Sequence, residues 1–593
     1  MGVPTPAETP VYDMGPASKL ASGDLDASKT ASTADPEGQE WLTKDDAALE
    51  GLGYRPELKR NFSSLETFGV AFSIMGVVPS IASTIFYNLP YGGPVGMVWG
   101  WFLSSILIMF IGLAMADLAS SMPTSGGLYY WTYKLAPRKY AAFLSWMVGF
   151  PVLADSARYE TTVLTSDNSF LGNVGATASV AWGCAGILLA CGSVADETFA
   201  PSVGVTFGVY CGVLITCGFF CAYGTALFAR LQTPLVILNT ALALVTIIGL
   251  PIARRGHLNS AKFTFGGWEN LYSWPNGFAF FLSMLAPVWT ICSFDCAVSI
   301  SEEAANASVA VPQAIVGSIG SAGILGTIIL AIFALCMGPS VADVNDSAIG
   351  QPLAYIYMLG FGRNGTLAIW SFIAVSSYGM ACSLLLPSSR QAFAFARDGA
   401  LPFSRFLYKV DQRSGTPVRT VWLVVGCCIP LGLLGFADPV NQAAINAIFA
   451  IAILGPYVAY GIPIFARVVW GKHLFHPGPW YLGKWSIPVA IVACVWMVFA
   501  LVLFCFPADM HPTAGTMNYA IVVSAAVWAF AIGFWYFPKI GGKTFFHGPR
   551  TEDLNDELIQ AYAEGHVEDP GKTNGTTTVV QAVEEPEEEQ QIK

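Results

Sequence analysis

Asp295 stands in the run FAFFLSMLAPVWTICSFDCAVSISEEAANASVAVP (278–312), whose first half is almost wholly apolar. A charge placed among hydrocarbon is costly unless it has a partner or a task. Three tasks fit the position. Asp295 can pair with an ammonium or quaternary amine, Trp289 adding a cation–π face. It can accept a coupling proton, or it can hold two halves of a helix together through hydrogen bonds. Ser293, in the same CSFDC stretch, is a candidate contact for a bound ligand. Glu302 and Glu303 follow farther on, where contacts to basic residues of inner loops are expected.

A second site of possible chemistry is backbone rather than side chain. SIMGVVPSIASTIFYNLP (73–90) carries Gly76 and Pro79, then Ser80, Ser83 and Thr84. Proline removes a backbone donor and clashes with the preceding turn, so groups near Val78, Pro79, Ser80, Ile81 and Ala82 are expected to be freed. In lipid these need partners, and a polar ligand can supply them. A helix starting after such a break points its positive end into the gap and favours an anion. The alternative is a plain kink satisfied by neighbouring hydroxyls. Pro287 marks a matching interruption in the stretch around Asp295, and such a pair five helices apart points to a transporter site at the midplane. Ser376 and Ser377, adjacent in a further apolar run, can coordinate a cation or bond their own i−4 carbonyls.

The elements holding these residues follow from composition. Of 593 residues, 54% are hydrophobic and 12% charged, half the charge of ordinary soluble domains, roughly a quarter. Apolar runs of about 20 residues, enough to cross about 30 Å of lipid, recur along the chain. Twelve all-α spans are predicted, near 68–89, 95–116, 140–192, 203–224, 231–253, 277–300, 314–338, 365–387, 419–436, 441–466, 486–507 and 519–538. With a cytosolic N-terminus the inner segments hold 24 Lys and Arg and the outer loops four, which assigns both tails to the cytosol. The third span is interrupted by the polar stretch 151–170, which either lines a cavity or is foreign to the fold; small residues beyond it (Gly172, Gly175, Ala176) suit close packing.

The tails read as disordered. Residues 1–64 are polar and lack a signal peptide, and 551–593 hold twelve acids against two bases. The thirteen cysteines are scattered without metal-ligand spacing, the six histidines form no ligand pair, and no phosphate-binding glycine loop appears. The chain therefore reads as neither a soluble enzyme nor a nucleotide-driven pump, with no cofactor, metal or nucleic-acid partner expected. Asn345 and Asn364 lie in glycosylation sequons of a predicted outer loop.

Three segments resemble the amino acid–polyamine–organocation superfamily: MADLASSMPTSGGLYYWTYKLAP (115–137), SISEEAANASVAVPQAI (299–315) and SSRQAFAFARDGALPFS (388–404). PSIASTI, PGPWYLGKWSIP and TMNYAIV are most similar to its fungal amino acid and choline transporters, including GABA permeases. The resemblance implies a LeuT-type 5+5 inverted repeat plus two helices. Residues 65–256 would be the first repeat, 277–466 the second, 467–538 the added pair and 539–593 the acidic cytosolic tail. It also implies import of a small amino acid or GABA at the plasma membrane, commonly with protons. Choline, a polyamine or another organic cation is the alternative cargo, and a transporter-like nutrient sensor the alternative role. Val78-Pro79-Ser80 falls where relatives carry glycines that hold a carboxylate, and Trp289 where they carry a gating aromatic. Asp295 falls where they often carry an acid. A coupling lysine of some relatives has no counterpart in the fifth span, where Asn239 is the strongly polar candidate.

Overall fold

The computed structural model describes residues 36–549 apart from 55, 57, 150–167, 197, 346, 348, 400, 402–403, 412–413, 437–442, 508, 514–516, 538–540 and 547. The first 35 residues, most of the polar stretch 151–170 and the acidic tail beyond 549 lie outside the described residues.

Among the described residues the regular structure is helical. α1 (Pro36–Gly51) precedes α2 (Ser64–Met75) and α3 (Val77–Asn88), which together make the first span. α4 (Gly93–Ser121) is the second span, and α5 (Gly127–Leu135) follows it. α6 (Arg138–Gly149) and α7 (Asn168–Ala195) flank the interruption of the third span. α8 (Val203–Tyr223) is the fourth. α9 (Thr225–Leu244), a π turn and α10 (Leu250–Ala253) run on as the fifth. After α11 (Ala261–Gly266), the sixth region comes in three pieces: α12 (Asn276–Ser283), α13 (Leu285–Thr290) and α14 (Cys296–Ser299). α15 (Ala307–Cys336) is the seventh span. α16 (Val341–Asn345) leads to α17 (Pro352–Arg397), and α18 (Ser404–Leu407) to α19 (Val418–Gly432). α20 (Ala443–Val469), α21 (Ser486–Leu503), α22 (Ala520–Trp535) and the short α23 (Gly542–Phe545) complete the order.

Ten described helices are long and apolar enough to cross a membrane, where twelve spans were expected. The difference has a local cause. The sixth region is cut into pieces too short to cross singly, and α22 is 16 residues long. Outward faces carry side chains that lipid would cover, such as Phe219, Ile237 and Val495. Small residues draw helices together inside: a Cβ on Gly326 would fall 2.2 Å from Trp101 Cε2, and one on Gly172 2.6 Å from Pro456 Cδ. The close packing expected along the third span is thus present between α7 and α20.

Two expectations change. The N-terminal stretch 1–64 was expected to be disordered, yet α1 forms and Leu49, Tyr54, Leu58 and Phe62 are buried. Four anchors in a polar sequence suffice where a folded surface receives them. Asn364 lies within α17, past the turn made by Gly362 at φ 67°, and Thr366 of its sequon is buried, so that sequon is not in an open loop.

Candidate functional site

The site is built where two helices stop at the same place. α2 begins on a capping box, the Ser63 hydroxyl accepting from Glu66 N and the Glu66 carboxylate from Ser63 N at 2.8 Å. It ends at Gly76, whose φ of 36° and ψ of 63° put it in the left-handed region. The break therefore sits at Gly76, upstream of the Val78–Ala82 stretch expected to unwind. Pro79 occupies the first turn of α3, where a missing N–H leaves nothing unpaired that would have been paired. Val78, Ser80, Ile81 and Ala82 are helical and buried. The Ser80 hydroxyl donates to Met75 O at 2.7 Å, satisfying a carbonyl at the end of α2 from across the break.

In the sixth region the chain leaves α13 at Ile291 and turns through Ser293, whose φ of 57° is left-handed without the freedom of glycine. Such a conformation costs on the order of 1–3 kcal/mol and persists only where the surroundings impose it. α14 then resumes after Asp295.

The two breaks meet at a cavity of about 10 Å³, lined by Ile74 of α2, Val180 of α7, Trp289, Thr290 and Ser293 of the sixth region, and Met380 of α17. That volume admits about one water and no amino acid, so the site is closed. Of the candidates, Trp289 and Ser293 line it, whereas Val78–Ala82 and Asp295 are not among its lining residues. The Thr290 hydroxyl is buried at it with no hydrogen-bond partner among the described residues, and the Ser73 hydroxyl, one turn before Gly76, is likewise buried without one. Unpaired buried hydroxyls are costly and mark places that water or a ligand satisfies.

Asp295 is 2% exposed and accepts a hydrogen bond from Tyr460 of α20 at 2.5 Å. Asn173 of α7 also contacts the carboxylate, and its amide donates to Gln391 Oε1 of α17 at 2.6 Å. Asp295 thus sits at the meeting of three helices.

Asn239 and Ser376 are brought together, the Ser376 hydroxyl donating to Asn239 Oδ1 at 2.6 Å and the amide returning to Leu235 O at 3.0 Å. Ser376 therefore bonds across helices. Ser377, equally buried, faces the Cys184 thiol. Glu302 and Glu303 make the basic contacts expected of them: Arg397 grips Glu302 with bonds of 2.9 and 3.0 Å, and Arg390 meets Glu303 at 2.6 Å. Both bases come from the end of α17.

Sequence reasoning missed Tyr460, Asn173, Thr290 and Met380. Tyr457 and Tyr460, one turn apart between two prolines of an apolar helix, were the available signal for the first.

A family described as amino acid permease matches residues 62–527. The chain belongs to that family. This permease is 37% identical over 523 residues to the GABA-specific permease of Saccharomyces cerevisiae, covering 87% of the chain and 88% of the relative. It is 32% identical to amino-acid permease 2 of Neurospora crassa over 512 residues, with 85% and 89% covered. Crystal structures of a manganese transporter from Eremococcus coleocola superpose at 13% identity and a TM-score of 0.49, over 86% of this chain and 97% of that one. The permease is a multi-pass integral membrane protein and a transporter rather than an enzyme.

Proposed function

We propose that this permease imports a small amino acid or GABA across the plasma membrane by alternating access, probing its cargo at the paired breaks and drawing on a proton gradient. One observation carries the reading: Ile74 beside the first break and Trp289–Ser293 at the second wall the same cavity. α3 starts at the first break, and the positive end of a helix beginning there would favour a carboxylate. The Thr290 hydroxyl, free among the described residues, offers a further polar contact. Cytosolic tails follow from the basic residues of the inner segments, and an inverted repeat accounts for breaks in the first and sixth spans. Asp295, buried with Tyr460, is the group we assign to the coupling proton, and Asn239 and Ser376 form a bracing pair between the fifth span and α17.

Choline or a polyamine is less well served. A quaternary amine asks for several aromatic faces, and Trp289 is the one aromatic among the cavity's described lining residues. Uptake of labelled GABA, choline and a panel of amino acids into cells expressing the chain is the test. GABA or amino acid uptake that rises as the outside is acidified supports the reading. Choline uptake alone refutes the cargo, and uptake indifferent to the proton gradient refutes the coupling. No uptake of any, with normal surface abundance, turns the reading toward a sensor.

A further inference from the structure

The segment ahead of the first span is sewn across a seam of the bundle. Asp45, in the last turns of α1, accepts from the backbone N–H of Asn306 at 2.5 Å and of Ala307 at 3.2 Å, capping the start of α15. Arg60 bonds Asp46 at 2.8 Å and Ala304 O at 2.8 Å. Phe62 exchanges backbone bonds with Glu303 O at 3.0 Å and Ala305 N at 2.9 Å. These contacts hold the chain that leaves the sixth region. Others hold the opposite side of the seam. Tyr54 is buried, donates to Asp398 Oδ2 at 3.1 Å and lies with its ring 4.0 Å from the Arg397 guanidinium. The Tyr130 hydroxyl of α5 donates to Leu52 O at 2.9 Å.

Between those two sides run the buried ion pairs Glu303–Arg390 and Glu302–Arg397. Opening along this seam would part residues 302–307 from 390–398. The segment then has to release one side, because Asp45 and Tyr54 lie nine residues apart with fixed partners on each. Arg397 couples the two layers, being held by Glu302 and covered by Tyr54.

We infer that residues 45–62 are a latch that holds the permease closed on the face where its N-terminal segment lies, and that release of Tyr54 from Arg397 and Asp398 accompanies opening to that side. The inference rests on the transport reading above. It adds to that reading a control element outside the cavity.

Cys292 lies in the sixth-region break and lines the cavity, so its modification reports opening whatever the cargo. The full chain is placed in sealed right-side-out and inside-out vesicles and exposed to a charged methanethiosulfonate, with Cys292 followed by peptide mass spectrometry. Asp45→Ala, Tyr54→Phe and Tyr54→Ala should each speed modification, by about fivefold where one buried hydrogen bond is lost, from the latch face alone. Tyr54→Phe keeps the ring and the burial, so it decides the matter if Tyr54→Ala does not accumulate. Unchanged rates in Asp45→Ala and Tyr54→Phe, or equal acceleration from both faces, would overturn the latch. Acceleration in a protein that takes up no amino acid would leave the latch standing and the transport reading refuted.

Discussion

Tyr460 donates its hydroxyl to Asp295 Oδ1 across 2.5 Å, tying the acid beyond the second break to the tenth span. The carboxylate that first drew attention in the sequence is therefore held by a neighbouring helix, at one remove from the cavity wall.

Asp295→Asn keeps an acceptor for Tyr460 and removes the ability to carry charge. If Asp295 holds the coupling proton, proton-driven uptake should fall more than about tenfold, in line with the loss of a group whose charge change is required, while surface abundance holds. Uptake at the wild-type level in an acid-outside gradient would leave the residue a structural role alone.

Gly76→Ala and Pro79→Ala separate the break from the proline that announced it. A Cβ at residue 76 would lie 3.1 Å from Met380 Sδ and 3.2 Å from Ser73 O, on a left-handed backbone. That backbone alone costs a non-glycine residue roughly 1–2 kcal/mol. Gly76→Ala should therefore abolish most uptake. Pro79→Ala should leave it within about twofold, because a donor in the first helical turn lacks an intrahelical partner anyway. The reverse order in an uptake assay would return the break to Pro79.

Arg390→Met should cost about 3–5 kcal/mol, since it strands Glu303 as a buried charge. Arg390 is fully buried and its partner is 1% exposed. The double change Arg390→Met with Glu303→Met should regain part of that loss, read as the temperature at which solubilised protein loses its monodisperse peak. A double variant no better than the single would show that the pair is not acting as a unit.

Ser376→Ala and Asn239→Ala should each lower stability by about 1 kcal/mol, the ordinary net worth of such a bond, and the double variant should add little. The proton dependence of uptake should stay the same in all three. A shifted dependence in Ser376→Ala would place the coupling ion at this pair instead.

The membrane class, the span order and the two interruptions were legible because they depend on runs of residue type, which lipid enforces strictly. Glu302 and Glu303 were legible for a similar reason: acids at the end of an apolar run need bases, and Arg390 and Arg397 at the end of another apolar run supply them. The placing of the first break was less so. Pro79 is the conspicuous helix breaker, but a proline in a first turn is no obstacle, and Gly76 supplies the left-handed step. Tyr460 and Asn173 were hidden because they lie in other helices, 165 residues beyond Asp295 in one case. The anchoring of residues 45–62 was hidden because its buried anchors are spaced through polar sequence and show no period.

A chamber with room for about one water cannot receive its cargo as it stands. An arriving solute can bind only molecules that have already expanded, so the measured affinity equals the intrinsic one scaled down by their fraction. Weak half-saturation would then report how seldom the bundle yawns, and a variant that widens the chamber would appear to grip more tightly without gaining a single contact.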